Sequence, residues 1–415
     1  MTLPGPAGST VDPSDDWREA TTLVRGGLQR SPFDETAEAL YPTSGFVYGS
    51  AAEAEAAFAG ELDRYIYGRY ANPTVSMFEE RLRLLEGAEV CRATASGMAA
   101  VFAALASSLS VGDRLVASRA LFGSCAVIVN EILPGYGIET EIVDGRDLDA
   151  WERALSKPTD AVFLETPSNP GLEIVDLAAV SELAKAAGAT VVVDNVFATP
   201  VLQKPLEFGA DVVVYSATKH IDGQGRTLGG AVLCSERFDG LHLKEFLRHT
   251  GPSLSPFNAW VLVKGLETLR LRVEAQSRSA ERIAGELEGL DGVERVLYPT
   301  ADSHPQHELA RRQLSAGGTI VALHLDTGGP AVGHDAKERA FAFLDALRLF
   351  DISNNLGDAK SLITHPATTT HRRVAPDQRT ELGITDAMVR LSIGLEDTDD
   401  LLDDLTSALQ EVATR

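Results

Sequence analysis

Cysteine is scarce in this chain. Only Cys91, Cys125 and Cys234 occur among 415 residues. They are odd in number and widely spaced, with no CxxC or Cys/His cluster, so neither a disulfide framework nor a zinc site is expected. A cytoplasmic, reducing compartment fits that usage. Basic residues are also in deficit: 37 Lys and Arg stand against 60 Asp and Glu, for a net charge of -23. That balance argues against nucleic acid and anionic membrane as partners. No run of ~18 uninterrupted apolar residues occurs, so no membrane span is expected. Met1 to Asp16 is rich in Pro, Gly, Ser and Asp, with no basic start and no apolar run. It reads as a mobile tail, not a targeting segment.

What remains is an ordinary globular composition, 44% hydrophobic and 23% charged, in a chain long enough for two domains. Residues 1–66 read as a tail and an irregular arm that packs on a partner subunit. A large domain is expected over 67–265 and a smaller α+β domain over 266–415. From Val90 onward, short apolar runs alternate with helical stretches. Strands are expected at Val90 to Thr94, Arg114 to Ala117, Glu139 to Val143, Ala161 to Leu164, Thr190 to Val193, Val212 to Tyr215 and Ala231 to Cys234. Helices are expected between them, including Phe122 to Leu133. Repeated βα units with near-continuous apolar strands give an α/β fold with a mostly parallel sheet covered on both faces. Beyond Phe257 long helical segments dominate.

Four polar points fall at the ends of expected strands: Ser96-Gly97, Asn169, Asp194 and Lys219. In a parallel sheet such ends share one edge, where ligands bind. Each point alone has a plain explanation: a cap, a turn, a solvated lysine. Their convergence is the argument. Ser96-Gly97 opens an Ala-rich helix whose free N–H groups suit a phosphate. A lysine past a strand end suits imine chemistry, and a strand-end aspartate suits a protonated ring nitrogen. Together they match the needs of pyridoxal phosphate. His304 and His307, spaced H-x-x-H in a Pro-containing loop, are expected to be solvated. The acidic run Glu396 to Asp404 reads as a helix start favoured by the dipole, and no metal site is expected.

The chain resembles the Cys/Met-metabolism family of pyridoxal-phosphate enzymes, of the aminotransferase-like fold (fold type I). The resemblance lies in YGRYANPT (67–74), ASGMAA (95–100), ETPSNP (165–170), VVDN (192–195), YSATKH (215–220), LGDAKSLITHPATTTH (356–371) and VRLSIGLED (389–397). It implies Lys219, Tyr67 and Asp194 as the catalytic set. Lys219 holds the cofactor's aldehyde and later moves protons. Asp194 pairs with the ring nitrogen. Ser96, Gly97, Met98, Ser216 and Thr218 meet the phosphate, and Asn169 meets the phenolic oxygen. Tyr67 and Arg69 match positions that reach the phosphate of a neighbouring subunit, which implies a homo-oligomer, commonly a tetramer. Arg390, with Asn355 near it, matches the grip on a substrate α-carboxylate.

Two positions depart from the family's pattern. Phe122 stands where a tyrosine usually stacks on the cofactor ring, and Asn355 stands where many relatives have serine. The tract HIDGQGRTLGG (220–230) resembles the branch that acts on O-succinylhomoserine with sulfide, giving homocysteine in methionine biosynthesis. Phe122 can stack but cannot donate a proton. A carboxylate leaving group, with a parent-acid pKa of ~4 to 5, departs without one, whereas a thiolate, near ~8.5, departs better with one. The alternatives within the family are cysteine as nucleophile, an O-acetyl substrate, or γ-elimination from methionine or cystathionine. A dinucleotide-binding oxidoreductase is disfavoured: GQGRTLGG is not G-x-G-x-x-G, and no acidic residue closes a suitable βαβ unit.

Overall fold

The structure, a computed structural model, describes residues 17–326 and 336–414. The expected N-terminal tail lies outside the described residues. Among the described residues, twelve strands form two sheets. The first holds β1 (Val90–Thr94), β2 (Arg114–Ser118), β3 (Glu139–Val143), β4 (Ala161–Glu165), β5 (Thr190–Asp194), β6 (Val212–Ser216) and β7 (Gly230–Cys234), in the order β1-β7-β6-β5-β4-β2-β3. β2 runs parallel to β3 and β4, and β4 parallel to β5, whereas β1 is antiparallel to β7. The second sheet holds β8 (Val293–Leu297), β9 (Ile320–Leu325), β10 (Asp351–Ile352), β11 (Leu362–Thr364) and β12 (Met388–Ser392), in the order β10-β11-β12-β9-β8. The mostly parallel first sheet and the smaller C-terminal sheet are the architecture expected from the sequence.

The chain divides into two compact units. The first comprises the residues up to Ser108, Val214–Asp222 and Arg226–Thr268; the second comprises Leu109–Val213, Gly223–Gly225 and the chain from Leu269. In the first unit the helix Pro73–Glu86 starts at Asn72, whose side chain accepts from the Thr74 and Val75 N–H groups, and stops at Gly87 with φ 81. Proline in the first turn and a left-handed glycine after the last turn are what such ends require. Phe78, Leu82 and Leu85 bury one face. Arg81 is also buried: its Nη2 meets Glu38 at 2.6 Å, and Lys264 reaches the same carboxylate. The Tyr215 hydroxyl donates to Glu86 at 2.6 Å, tying β6 to this helix.

In the second unit one face of the parallel strands packs on the helices Leu148–Leu155 and Leu177–Ala187, around Trp151 and Leu177. The C-terminal sheet packs on the helices Leu269–Leu287 and Thr398–Thr414. The expected helix over Phe122 to Leu133 forms from Gly123 to Gly135, with a widened turn inside it. Phe122 is extended, α-helix covers Gly123–Val127, a π turn covers Ile128–Ile132, and Leu133–Gly135 is α again. Pro134 has no N–H and its ring crowds the carbonyl four residues back, so the wider turn relieves the conflict. The expectation for His304 is corrected. It is 3% exposed, its Nδ1 accepts the Gln306 N–H at 3.2 Å, and burial pushes its pKa down to about 4.

Candidate active site

In the first unit the site residues gather where β6 ends against a helix start. Ser96 caps the helix Gly97–Ala106, its Oγ accepting from Ala99 at 3.2 Å. The Gly97 and Met98 N–H groups, in the first turn, have no intrahelical acceptor. A Cβ on Gly97 would lie 2.5 Å from the Ser216 Cβ, and one on Gly230 would lie 2.2 Å from the Ser96 carbonyl oxygen. Only glycine lets these three segments approach so closely. Lys219 follows in a turn, its N–H donating to the Ser216 carbonyl at 3.2 Å. Thr218 Oγ1 accepts the Gly229 N–H at 3.1 Å, folding the glycine tract back on this turn. A Cβ on Gly265 would meet the Ile221 carbonyl oxygen at 2.2 Å, so the helix Pro256–Glu267 backs the lysine turn. Tyr67 and Arg69 form a separate cluster of the same unit. Tyr67 is 41% exposed and meets Tyr70 edge-on at 5.6 Å, while the Arg69 guanidinium lies over both rings and donates to the Arg248 carbonyl.

In the second unit the parallel register sets Glu165 opposite Asp194 at the ends of β4 and β5. Glu165 Oε2 accepts the Phe122 N–H at 2.7 Å and Oε1 accepts the Asn169 N–H at 2.9 Å. Asn169 Oδ1 accepts from Arg390 Nη1 at 2.8 Å. Arg390 Nη2 donates to the carbonyls of Asn354 at 3.1 Å and Asn355 at 3.0 Å. Asn355 meets Arg390 through its backbone carbonyl. Arg390 is 1% exposed, and its Nε has no hydrogen-bond partner. His371 lies beside it, its Nδ1 2.8 Å from Thr370 Oγ1.

Burial dominates the electrostatics here. It raises the Asp194 carboxyl to about 7, and it raises Glu165 well above the usual range, with the Asp194 charge adding to the effect. It lowers Arg390 to about 10, and burial with the Arg390 charge lowers His371 to about 4. Glu165 is the residue that reading the sequence missed. It opens ETPSNP at a strand end, as Asp194 does, and two carboxylates ending adjacent strands were the available signal.

These features fit pyridoxal phosphate. A helix start brought against Ser216 by a glycine supplies N–H donors for a dianion. A carboxyl that burial alone holds near 7, its Oδ1 accepting the Val196 N–H at 3.1 Å, is stabilised as an anion by a ring N–H⁺. An arginine with a buried, unpartnered Nε is equipped for an anionic substrate group.

A parallel sheet with a lysine turn, a glycine-backed helix start and a strand-end aspartate defines a pyridoxal-phosphate enzyme of fold type I. The chain belongs to the Cys/Met metabolism PLP-dependent enzyme family, whose model matches residues 20–410. It is 62% identical over 395 residues to O-succinylhomoserine sulfhydrylase of Mycobacterium tuberculosis, covering 95% of this chain and 96% of that protein. It is 49% identical over 392 residues to the protein of the same name from Pseudomonas aeruginosa, covering 94% of each. Among solved structures, a putative O-acetylhomoserine (thiol)-lyase of Campylobacter jejuni carries pyridoxyl-lysine monophosphate. It matches with a TM-score of 0.89 and 32% identity, over 95% of this chain and 100% of that one.

Proposed function

We propose that this enzyme replaces the γ substituent of O-succinylhomoserine with sulfide, giving homocysteine and succinate for methionine biosynthesis. The observation that carries the proposal is the 62% identity to the M. tuberculosis sulfhydrylase. When bound, pyridoxal phosphate supplies an aldehyde that joins the substrate amine and a ring that draws electrons from Cα. Lys219 Nζ holds the cofactor at rest, then takes the Cα proton and later returns it. The Asp194 carboxylate keeps the ring nitrogen protonated. Ser96, Gly97, Met98, Ser216 and Thr218 hold the phosphate, and Asn169 holds the phenolic oxygen. The Arg390 Nε donates to the substrate α-carboxylate beside Asn355. A Cβ proton is lost as the Cγ–O bond breaks with its electron pair leaving on succinate; sulfide then forms the Cγ–S bond and a proton returns to Cβ. Phe122 covers the ring without donating a proton, which a carboxylate leaving group does not need.

Residues 67–265 form the cofactor-binding domain in this reading, and 266–415 the C-terminal one. The arm within residues 1–66 packs on a partner subunit. Tyr67 and Arg69 reach the partner's phosphate in a homotetramer. Exposed Phe33, Val47 and Phe58 on the arm support that role. The chain works in the cytoplasm, in keeping with Cys91, Cys125 and Cys234 buried as free thiols. Among the described residues no helix is long and apolar enough to cross a membrane.

The test is product analysis with O-succinyl- and O-acetylhomoserine, each with sulfide and with cysteine. Homocysteine and succinate are expected from the succinyl substrate with sulfide. Cystathionine as the main product when both nucleophiles compete would reassign the chain to synthesis with cysteine. Formation of 2-oxobutanoate from methionine, with no homocysteine from any acylhomoserine, refutes the proposal.

A further inference from the structure

We propose that Glu165 is the positioning residue of the second unit's cluster, one carboxylate oxygen fixing Phe122 and the other fixing Asn169 and, through it, Arg390. The proposal deepens the reading above and rests on it for the roles of those three residues. Glu165 ends β4 and is 4% exposed. The two N–H groups it accepts lie 43 residues before it and 4 residues after it. Neither belongs to a helix or a strand ladder. Phe122 is the extended residue before a short helix, and Asn169 sits in the loop that follows β4. A buried N–H must find an acceptor, and here a single side chain serves both loops.

The chain of contacts continues past the loops. Asn169 holds Arg390 Nη1 at 2.8 Å, and two backbone carbonyls hold Nη2. The guanidinium plane is thereby fixed, and Nε is left as a buried donor. A buried carboxylate is a costly way to fill space, and an apolar side chain would pack β4 more cheaply. Two backbone donors at hydrogen-bond distance, with a strand register that puts Glu165 beside Asp194, give the carboxylate a reason to be there. Glu165 touches neither substrate nor cofactor in this account. It acts by orienting the residues that do.

The test compares the parent holoenzyme with Glu165→Gln and Glu165→Asp. Glutamine keeps the size but has one acceptor oxygen, so one of the two N–H groups faces an amide NH₂. Aspartate keeps both carboxyl oxygens but is too short to serve both loops. The readouts are KM and kcat for O-succinylhomoserine with sulfide, and the circular dichroism of the bound cofactor, which reports its orientation without substrate. For Glu165→Gln, a rise of about 10-fold in KM and a fall of about 10-fold in kcat are expected, the scale of a misplacement of ~1 Å or less. An altered cofactor dichroism band is expected too, with Glu165→Asp intermediate in all three. A glutamine variant whose KM, kcat and dichroism match the parent overturns the proposal. So does one that loses only thermal stability. Where the glutamine variant does not fold, the aspartate variant is judged by the same criteria. A parent that makes no homocysteine sinks the functional reading alone, since the dichroism comparison still decides the role of Glu165.

Discussion

Gly97→Ala puts the proposed phosphate cradle to a direct test. The added methyl would sit 2.5 Å from the Ser216 Cβ and 2.8 Å from both its Cα and its Oγ. Carbon atoms rest ~3.5–4.0 Å apart, so the helix start and the end of β6 must separate by about 1 Å. Overpacking of that kind costs about 1–3 kcal/mol. The same movement carries the Gly97 and Met98 N–H groups away from Ser216, so a phosphate can no longer reach all its donors. Losing one hydrogen bond to a charged group costs about 1.5–3 kcal/mol. At ~1.4 kcal/mol per decade, the cofactor binds about 10- to 100-fold more weakly. The assay is titration of the apoenzyme with pyridoxal phosphate, followed by absorbance, with thermal melts of both apo forms. Helix propensity pulls the other way, since alanine is favoured over glycine by about 1 kcal/mol within a helix. An apo variant at least as stable as the parent, with cofactor affinity within about twofold, would show that the close approach of helix and strand does not govern phosphate binding.

Burial raises the Asp194 carboxyl from 3.8 to about 7, so between those values the folded chain keeps a proton that the unfolded chain has lost. That contribution is complete below the lower value and is lost as pH rises through the upper one. Asn has no such loss, so the Asp194→Asn apoenzyme should melt higher than the parent apoenzyme at about pH 8, with the gap closing as pH falls toward ~4. Equal melting temperatures across that range refute the argument. Glu38→Gln should be strongly destabilising, because it strips a buried carboxylate from Arg81 at 2.6 Å and from Lys264. A loss of about 3–5 kcal/mol in denaturant unfolding is expected, and less than ~1 kcal/mol would mean that the pairs contribute little.

The strand ends were legible in the sequence because a parallel sheet puts its chemistry at one place along every strand. Val212 to Ser216 and Thr190 to Asp194 each announced both the strand and its polar terminus. Glu165 was not legible as a partner of Phe122. That contact spans 43 residues and depends on β4 lying between β5 and β2, an order that local pattern does not encode. The link from Asn169 to Arg390 spans 221 residues and has the same cause. Arg81, in an amphipathic helix, reads as a solvated charge until Glu38, itself held by Lys264, is seen to pair with it. Pro134 was visible in the sequence, but the apolar periodicity of Phe122 to Leu133 concealed the widened turn that the proline imposes. His304 looked solvated because its neighbours in sequence are polar, and its burial comes from tertiary packing.

The first unit is assembled from three separate stretches of chain, the last ending at Thr268. No ribosome-bound fragment shorter than that contains all of it. At ~5–20 residues per second, about 15–50 s pass between initiation and the emergence of its last helix. For about 7–28 s of that interval, β1 (Val90–Thr94) exists without β7 (Gly230–Cys234), its partner in the sheet. The exposed strand is then a point where a nascent chain needs protection, and early folding of this protein is governed by the order of synthesis as much as by the stability of the finished sheet.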